Sequence, residues 1–193
     1  MKEYLIDFKE RFTTERLIIK SYIEENALEY KDLVQRNSDS INLAIDNHSD
    51  RIKSVEDAKV YFIQTKVWSI SRSLFIFGIW ERESDKLVGQ FSINPEKWSP
   101  PIFDIGWFLD KESRGKGYIT ESAKTIISYL FNDQNALKVS ARTSEDNEKS
   151  ANIALRCGMK LEGRIRKATK TKTGEICDEL IFGILKEEFL NNK

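Results

Sequence analysis

A short glycine-rich turn, Arg114-Gly115-Lys116-Gly117-Tyr118, constrains this chain more than any other segment. The apolar run 102–109 before it is typical of a β-strand, and the amphipathic run 119–131 after it is typical of a helix. Glycine lets backbone N–H groups approach an anion closely. A helix N-terminus adds unpaired N–H donors and the positive end of the helix dipole. Since Arg114 and Lys116 add positive charge, the turn predicts a site for a phosphorylated ligand.

The turn does not fit two other phosphate-binding motifs. A P-loop needs two glycines five residues apart followed by Lys and Ser or Thr, and a dinucleotide fingerprint needs a third glycine. Neither pattern is present around Gly115 and Gly117. A Gly-x-Gly turn with basic neighbours is by itself a weak signal, because a simple tight turn has the same pattern.

The composition of the chain argues against several classes of protein. Its 193 residues predict one domain with a substantial core, and 31 basic against 31 acidic residues argue against general nucleic-acid binding. We find neither a run of membrane-spanning length nor the apolar segment of a signal peptide, and we expect a cytoplasmic protein. Cys157, Cys177 and the single histidine His48 form neither a disulfide framework nor a Cys/His metal site.

Hydrophobic periodicity predicts an α/β chain. Strands are predicted at 16–23, 74–80, 87–93, 102–109, 137–143, 160–171 and 175–185, and helices from Ser54 to 68, at 119–131 and at 147–156. The segment 24–37 is predicted to be polar and partly helical. The segments 38–53 and 94–101 are predicted to be loops, the first with a short helix. This order lacks the regular alternation of a doubly wound nucleotide fold and favours a mixed, largely antiparallel sheet.

The turn and its flanking elements resemble the acetyl-CoA-binding signature of the GNAT N-acetyltransferases, Gln/Arg-x-x-Gly-x-Gly/Ala. Arg114 takes the first position and Gly117 the fourth. Ile119 stands at the sixth position, where the family usually has Gly or Ala. This departure concerns the geometry of the turn, whereas backbone N–H donors are available at every residue except proline.

Other patterns resemble the RimJ/RimL-like branch of this family, and together they cover residues 13–189. They are Thr14-Glu15-Arg16-Leu17, Asp104-Ile105-Gly106-Trp107, the pair Asn147 and Ser150 followed by Gly158-Met159-Lys160-Leu161-Glu162-Gly163, and the closing segment 178–189, interpreted as a strand. The resemblance implies an α/β GNAT fold with a mixed, mostly antiparallel twisted sheet of about seven strands, helices on both faces, and splayed central strands that bind acetyl-CoA. We expect one domain over residues 1–193.

The resemblance also assigns roles to residues. Backbone N–H groups of one segment would bind the pyrophosphate of acetyl-CoA, and the segment consists of Arg114, Gly115, Lys116, Gly117, Tyr118, Ile119 and Thr120. A strand N–H at Phe108 or Leu109 would bind the thioester oxygen. Asn147 would hydrogen-bond the pantetheine arm, and Ser150 would protonate or hydrogen-bond the leaving thiolate.

The implied reaction is direct acetyl transfer from acetyl-CoA to a primary amine in a ternary complex. An alkyl amine is mostly protonated at neutral pH, so a base is required. Asp104, where the family usually has Glu, is the candidate base or amine ligand, and a solvated strand position is the alternative interpretation. The acceptor is a protein N-terminal α-amine, as on ribosomal proteins, or a small amine. A non-catalytic acyl-CoA sensor or partner-docking module is the alternative, and we expect a monomer or homodimer that makes no direct nucleic-acid contact.

Overall fold

A computed structural model describes residues 8–44, 48–171 and 173–191. The strands are β1 (Arg11–Thr13), β2 (Leu17–Lys20), β3 (Phe75–Glu81), β4 (Leu87–Trp98), β5 (Pro101–Leu109), β6 (Lys138–Ser144), β7 (Lys160–Lys170) and β8 (Ile176–Leu185). The α-helices are α1 (Ala27–Arg36), α2 (Ser38–Ala44), α3 (His48–Arg51), α4 (Val55–Ile70), α5 (Tyr118–Asn132), α6 (Glu148–Arg156) and α7 (Lys186–Asn191). Short 3-10 helices lie at Glu24–Asn26 and Lys111–Ser113.

The strands form one sheet in the order β1-β2-β3-β4-β5-β6-β8-β7. Pairing is antiparallel for β1 with β2, β2 with β3, β6 with β8 and β7 with β8, and parallel for β5 with β6. The predicted mixed and mostly antiparallel sheet is therefore confirmed. The sheet has one strand more than expected, because the three residues of β1 are too few to give a periodic signal.

Three segments differ from the sequence-based expectation. The segment 38–53, predicted to be a loop with a short helix, holds two helices, α2 and α3. The predicted loop 94–101 is wrong, since β4 continues to Trp98 and β5 begins at Pro101. Asn, Pro and Lys have low strand propensity, but pairing within a sheet routinely overrides that preference. The segment 178–189 is also not one strand, because β8 ends at Leu185 and α7 follows. The backbone N–H of Leu185 donates to the carboxylate of Glu188 at 3.0 Å, which stabilises this change.

The described residues divide into two compact units. The N-terminal unit consists of Arg11–Ser92 and Trp107–Ile119. The C-terminal unit consists of Ile93–Gly106 and the chain from Thr120 onward, together with residues 8–10. The expectation of a single domain stays a prediction.

Aromatic residues of α1, α4 and the segment that follows β2 dominate the core of the N-terminal unit. The rings of Tyr22 and Phe62 stack with their centres 4.6 Å apart, and Tyr30 lies 4.8 Å from Tyr22. Gln90 on β4 accepts hydrogen bonds from the hydroxyls of Tyr30 at 3.0 Å and Tyr22 at 3.2 Å. These bonds satisfy polar atoms that would otherwise be costly to bury. The aromatic cluster therefore fixes α1 against β4.

Helix α4 begins where its cap residues predict. Ser54 accepts a hydrogen bond from the Asp57 N–H at 3.1 Å, and Asp57 accepts one from the Ser54 N–H at 2.8 Å. This reciprocal pair is a capping box, which satisfies two N–H groups that a helix start leaves unpaired. The predicted start of the helix is confirmed.

The buried carboxylate of Asp110 ties the end of β5 to the last turn of α1. Arg36 donates two hydrogen bonds to one carboxylate oxygen, at 2.7 and 3.0 Å, and Asn37 donates to the other at 3.0 Å. The Asp110 N–H also donates to the Val88 carbonyl on β4 at 2.7 Å. Burial raises the pKa of Asp110, but these donors outweigh burial and hold the pKa below its usual range.

In the C-terminal unit, β6 pairs with β5 on one side and with β8 on the other. Residues on one face of these strands are buried and apolar: Phe103, Ile105, Val139, Ala141, Phe182 and Ile184. Alternation places Asp104, Ser140 and Arg142 on the opposite face. Helix α6 begins after its predicted cap, Asn147, and ends before Gly158 at φ +84°. None of the helices in the described part of the chain has both the length and the apolar content of a membrane span.

Replacing Asp110 by Ala is expected to lower the free energy of unfolding by about 3–5 kcal/mol, because Arg36 and Asn37 lose the acceptor for three hydrogen bonds. Urea unfolding at pH 7 measures this loss. Glu112→Ala is the matched control: its side chain is 59 % exposed, so we expect a change within about 0.5 kcal/mol.

The loss of unfolding free energy caused by Asp110→Ala also depends on pH. Because the pKa of Asp110 is depressed in the folded state, its contribution is complete above the unfolded pKa of about 4 and is lost as pH falls through the folded value. The difference between wild type and variant should therefore shrink below about pH 4. Equal losses of unfolding free energy in Asp110→Ala and Glu112→Ala would contradict the stabilising role of the Asp110 carboxylate.

Candidate active site

The glycine turn of the N-terminal unit alternates between ordinary and left-handed backbone. Arg114 is extended, whereas Gly115 and Gly117 have φ values of +83° and +81°, and α5 begins at Tyr118. A Cβ at Gly115 would meet nothing within 4 Å, so open space lies beside this peptide. Successive backbone N–H groups in such turns form concave anion sites. The geometry fits the diphosphate group that the sequence predicts here.

Side chains from other parts of the N-terminal unit hold the turn. Arg16 donates to the Lys116 carbonyl at 2.9 Å, and the Tyr118 hydroxyl donates to the Glu81 carboxylate. The ammonium group of Lys116 lies 3.5 Å from the same carboxylate. Hydrogen bonds from Ser84 and Tyr118, with the nearby Lys116, lower the pKa of Glu81 to about 2. Glu81 is therefore ionised at any physiological pH.

The side chains of the predicted pyrophosphate segment lie in different surroundings. Arg114 donates to the Ser40 hydroxyl of α2 at 3.1 Å. Tyr118 and Ile119 are 5 % and 3 % exposed, so the large residue at the sixth motif position packs in the interior. Thr120 belongs to the C-terminal unit, where its carbonyl lies 4.0 Å from the sulfur of Cys157. The Ile119 side chain therefore fills protein interior.

The backbone of Phe108 and Leu109 approaches β4 closely. Phe108 packs within the aromatic core of the N-terminal unit, and Leu109 is partly buried. A Cβ at Gly89 would lie 2.5 Å from the Phe108 carbonyl and 3.2 Å from the Leu109 side chain. Only glycine at position 89 permits this approach without a shift of the backbone.

Asp104 lies at the last residue pair of the β5–β6 ladder. The ladder covers three pairs and ends where Asp104 meets Ser140. The Ser140 hydroxyl donates to the Asp104 carboxylate at 2.9 Å, and Nε of Arg142 lies 3.8 Å away. Burial nevertheless raises the pKa of Asp104 to about 6, against the lowering effects of Ser140 and Arg142. Asp104 is therefore a carboxylate that titrates close to neutral pH.

Two more carboxylates surround Arg142 in the C-terminal unit. Its guanidinium nitrogens lie 3.0 Å from Glu96 on β4 and 3.6 Å from Glu179 on β8. Three acidic side chains thus share one basic partner. Sequence reasoning missed Glu96, Arg142 and Glu179, and it gave the Ser140 side chain no role. The alternation of β6 could have put Ser140 and Arg142 on one face, but their neighbours on β4, β5 and β8 depend on sheet order, which sequence spacing does not reveal.

Asn147 and Ser150 lie together at the start of α6. The Asn147 amide donates to the Ser150 hydroxyl oxygen at 3.1 Å, and its carbonyl oxygen accepts the Ser150 N–H at 3.4 Å. Because the Ser150 oxygen accepts this bond, its own O–H proton stays available for donation. The sequence-predicted pair is thus in mutual contact.

Neither cysteine thiol has the lowered pKa that is typical of a reactive nucleophile. Cys157 and Cys177 are both free and buried, and burial raises the pKa of Cys157 to about 11. A thiol with this pKa is a poor nucleophile near neutral pH. In the described part of the chain, His, Cys, Asp and Glu side chains form no group of three that could hold a metal ion.

Comparison with known proteins identifies the class to which this fold and site belong. Residues 16–160 match the family model described as an acetyltransferase (GNAT) domain, and the chain belongs to this family. It is 27 % identical over 180 residues to the uncharacterized N-acetyltransferase YnaD of Bacillus subtilis, covering 92 % of this chain and 98 % of that protein.

Solved structures show the same fold. The microcin self-immunity acetyltransferase MccE, in complex with acetyl-CoA and AMP, superimposes with a TM-score of 0.80 at 22 % identity, over 89 % of this chain and 93 % of that one. The ribosomal alpha-N-protein acetyltransferase RimL, in complex with coenzyme A, also gives a TM-score of 0.80, at 18 % identity over 91 % and 98 %. The chain is an acetyl-CoA-dependent N-acetyltransferase with the GNAT fold.

Replacing Ser140 by Ala is expected to raise the pKa of Asp104 further above about 6, because the hydrogen bond from Ser140 favours the ionised carboxylate. A bond of about 1 kcal/mol corresponds to a rise of somewhat less than one unit. Carbon-detected NMR titration of the carboxyl group measures it. Ser144→Ala, four residues along β6, is the control and should leave the titration unchanged. A lower pKa in Ser140→Ala would contradict the interpretation.

Proposed function

We propose that this acetyltransferase acts on a primary amine, and that its preferred acceptor is the N-terminal α-amine of a protein or peptide. The observation that carries this proposal is the partly buried Asp104, whose pKa lies at about 6. A base of this strength is ionised above pH 6 and still accepts a proton from an ammonium group, which frees the nitrogen lone pair for attack.

The strength of the base supports an α-amine over an alkyl amine. An α-ammonium group has a pKa of about 7.7–8.0, whereas a lysine-like ammonium has one of about 10.4. Transfer of a proton to a carboxylate of pKa about 6 then costs about 2–3 kcal/mol from the first and about 6 kcal/mol from the second. The pKa of Asp104 is therefore closer to that of an α-ammonium group than to that of an alkyl ammonium group, which favours an α-amine as the acceptor.

The charges around Asp104 support a cationic acceptor. Asp104, Glu96 and Glu179 together outnumber Arg142, their common basic neighbour. The excess negative charge attracts an ammonium group before its proton is removed. RimL, a fold neighbour named as a ribosomal alpha-N-protein acetyltransferase, is consistent with this acceptor class.

We assign acetyl-CoA to the residues that the sequence motif predicts. The N–H groups from Arg114 to Thr120 bind the diphosphate, helped by the positive end of α5. The N–H of Phe108 or Leu109 donates to the thioester oxygen and stabilises the negative charge that develops there. The left-handed glycines and the open space beside Gly115 support the diphosphate assignment.

Ser150 and Asp104 handle the two protons of the transfer. Asp104 takes one proton from the acceptor ammonium, directly or through water, which frees the nitrogen lone pair to form the nitrogen–carbon bond. As the carbon–sulfur bond breaks, the second nitrogen proton passes through the Ser150 hydroxyl to the sulfur, so that serine stays neutral and coenzyme A leaves as the thiol. Asn147 orients the Ser150 hydroxyl, since its amide already occupies one lone pair of the oxygen.

The acceptor preference is tested with matched peptides. One peptide has a free N-terminus and no lysine, and the other is N-terminally acetylated with one internal lysine; a small alkyl amine is the third substrate. We expect the highest kcat/KM for the free N-terminus, rising with pH through about 6, and a rate loss of about 100-fold or more in Asp104→Asn. Preference for the alkyl amine, or an unchanged rate in Asp104→Asn, would overturn the assignment.

A second pair of variants separates chemistry from cofactor binding. Ser150→Ala should lower kcat by about 10-fold or more while the Kd of coenzyme A stays within about twofold. Arg114→Glu should weaken coenzyme A because it places negative charge beside the diphosphate. Lys170→Glu, the same charge change on exposed β7, is the control. Calorimetric titration gives Kd, and intact affinity in Arg114→Glu would exclude the proposed diphosphate site.

A further inference from the structure

Arg16 contacts three consecutive residues at the end of the glycine turn. Its Nη1 donates to the Lys116 carbonyl at 2.9 Å, and its Nη2 lies 3.6 Å from the position that a Cβ on Gly117 would occupy. Its guanidinium carbon lies 5.0 Å from the centre of the Tyr118 ring, within the range of a cation–π contact. Neither acetyl-CoA binding nor proton transfer, as proposed above for other residues, involves this side chain.

The bond to the Lys116 carbonyl fixes the orientation of the next N–H group. In a planar trans peptide the C=O and the following N–H point in opposite directions. Because Arg16 holds the Lys116 carbonyl, the Gly117 N–H is directed away from the guanidinium. Glycine at φ +81° has little steric resistance to rotation, so an external contact of this kind is needed to hold the peptide.

Both ends of this contact are themselves anchored. Arg82 donates to the carbonyls of Thr14 at 3.1 Å and Glu15 at 3.0 Å, which fixes the corner that carries Arg16. On the other side, the Tyr118 hydroxyl donates to Glu81, so the ring under the guanidinium is also fixed. Arg16 therefore connects two fixed points within the N-terminal unit.

We propose that Arg16 is a positioning residue for the diphosphate of acetyl-CoA, which holds the peptide between residues 116 and 117 so that the Gly117 N–H is presented to the phosphate. This inference rests on the proposed role of the turn. A turn ordered before binding loses less conformational entropy on binding, and that difference increases affinity.

The binding test compares the Kd of coenzyme A for wild type, Arg16→Gln and Arg16→Lys by calorimetry. We expect Arg16→Gln to weaken binding about tenfold, the loss for a charge-assisted hydrogen bond near the surface. Arg16→Lys should recover binding only in part, because one ammonium cannot reach the carbonyl and cover the ring together. Arg11→Gln, an exposed arginine on β1 with the same charge change, should stay within about twofold of wild type.

An NMR measurement without ligand tests positioning directly. The amide order parameters of Gly115 and Gly117 should fall from about 0.85 in wild type toward 0.6 in Arg16→Gln, and stay near 0.85 in Arg11→Gln. The rest of the spectrum reports whether each variant is folded. Unchanged order parameters, or Arg16→Lys binding as tightly as wild type, would overturn the proposal.

The two proposals fail in different ways. If wild type does not bind coenzyme A, the diphosphate assignment is wrong, and the order parameters still decide whether Arg16 holds the turn. If wild type binds coenzyme A and Arg16→Gln binds equally well, the assignment of the turn survives and the role of Arg16 is wrong.

Discussion

The buried carboxylate of Asp110 is the constraint on which the N-terminal unit depends. A charge without exposure is tolerated only when donors surround it, and Arg36 and Asn37 supply them from the last turn of α1. Because Asp110 directly follows β5 and caps the 3-10 helix before the glycine turn, the same bonds fix where that turn starts. The positions of α1, β5 and the glycine turn thus depend together on the ionised carboxylate of Asp110.

Two other carboxylates show how local surroundings shift the pKa of the same chemical group in opposite directions. Glu81 accepts bonds from hydroxyl and ammonium donors, and its pKa of about 2 keeps it charged as a support for Tyr118. Asp104 has fewer donors for its degree of burial, and its pKa of about 6 lets it exchange protons near neutral pH. The same balance of burial against hydrogen bonds decides both cases, with opposite results.

Local features of this chain could be predicted from sequence, whereas long-range contacts could not. The cap at Ser54 and the stop at Gly158 depend on residues within one helical turn, so residue type suffices. The contact of Arg16 with Lys116 joins residues 100 positions apart, and no spacing rule predicts it. The extension of β4 to Trp98 was missed for the same reason, since its stability comes from pairing rather than propensity.

The absence of a side chain at Gly89 sets how closely β4 and β5 approach each other. A Cβ at this position would lie 2.5 Å from the Phe108 carbonyl, so alanine here would push the two backbones apart. Phe108 is also held by its ring, which packs in the aromatic core of the N-terminal unit. The course of β5 at this point is therefore fixed by two independent contacts, one of the backbone and one of a buried side chain.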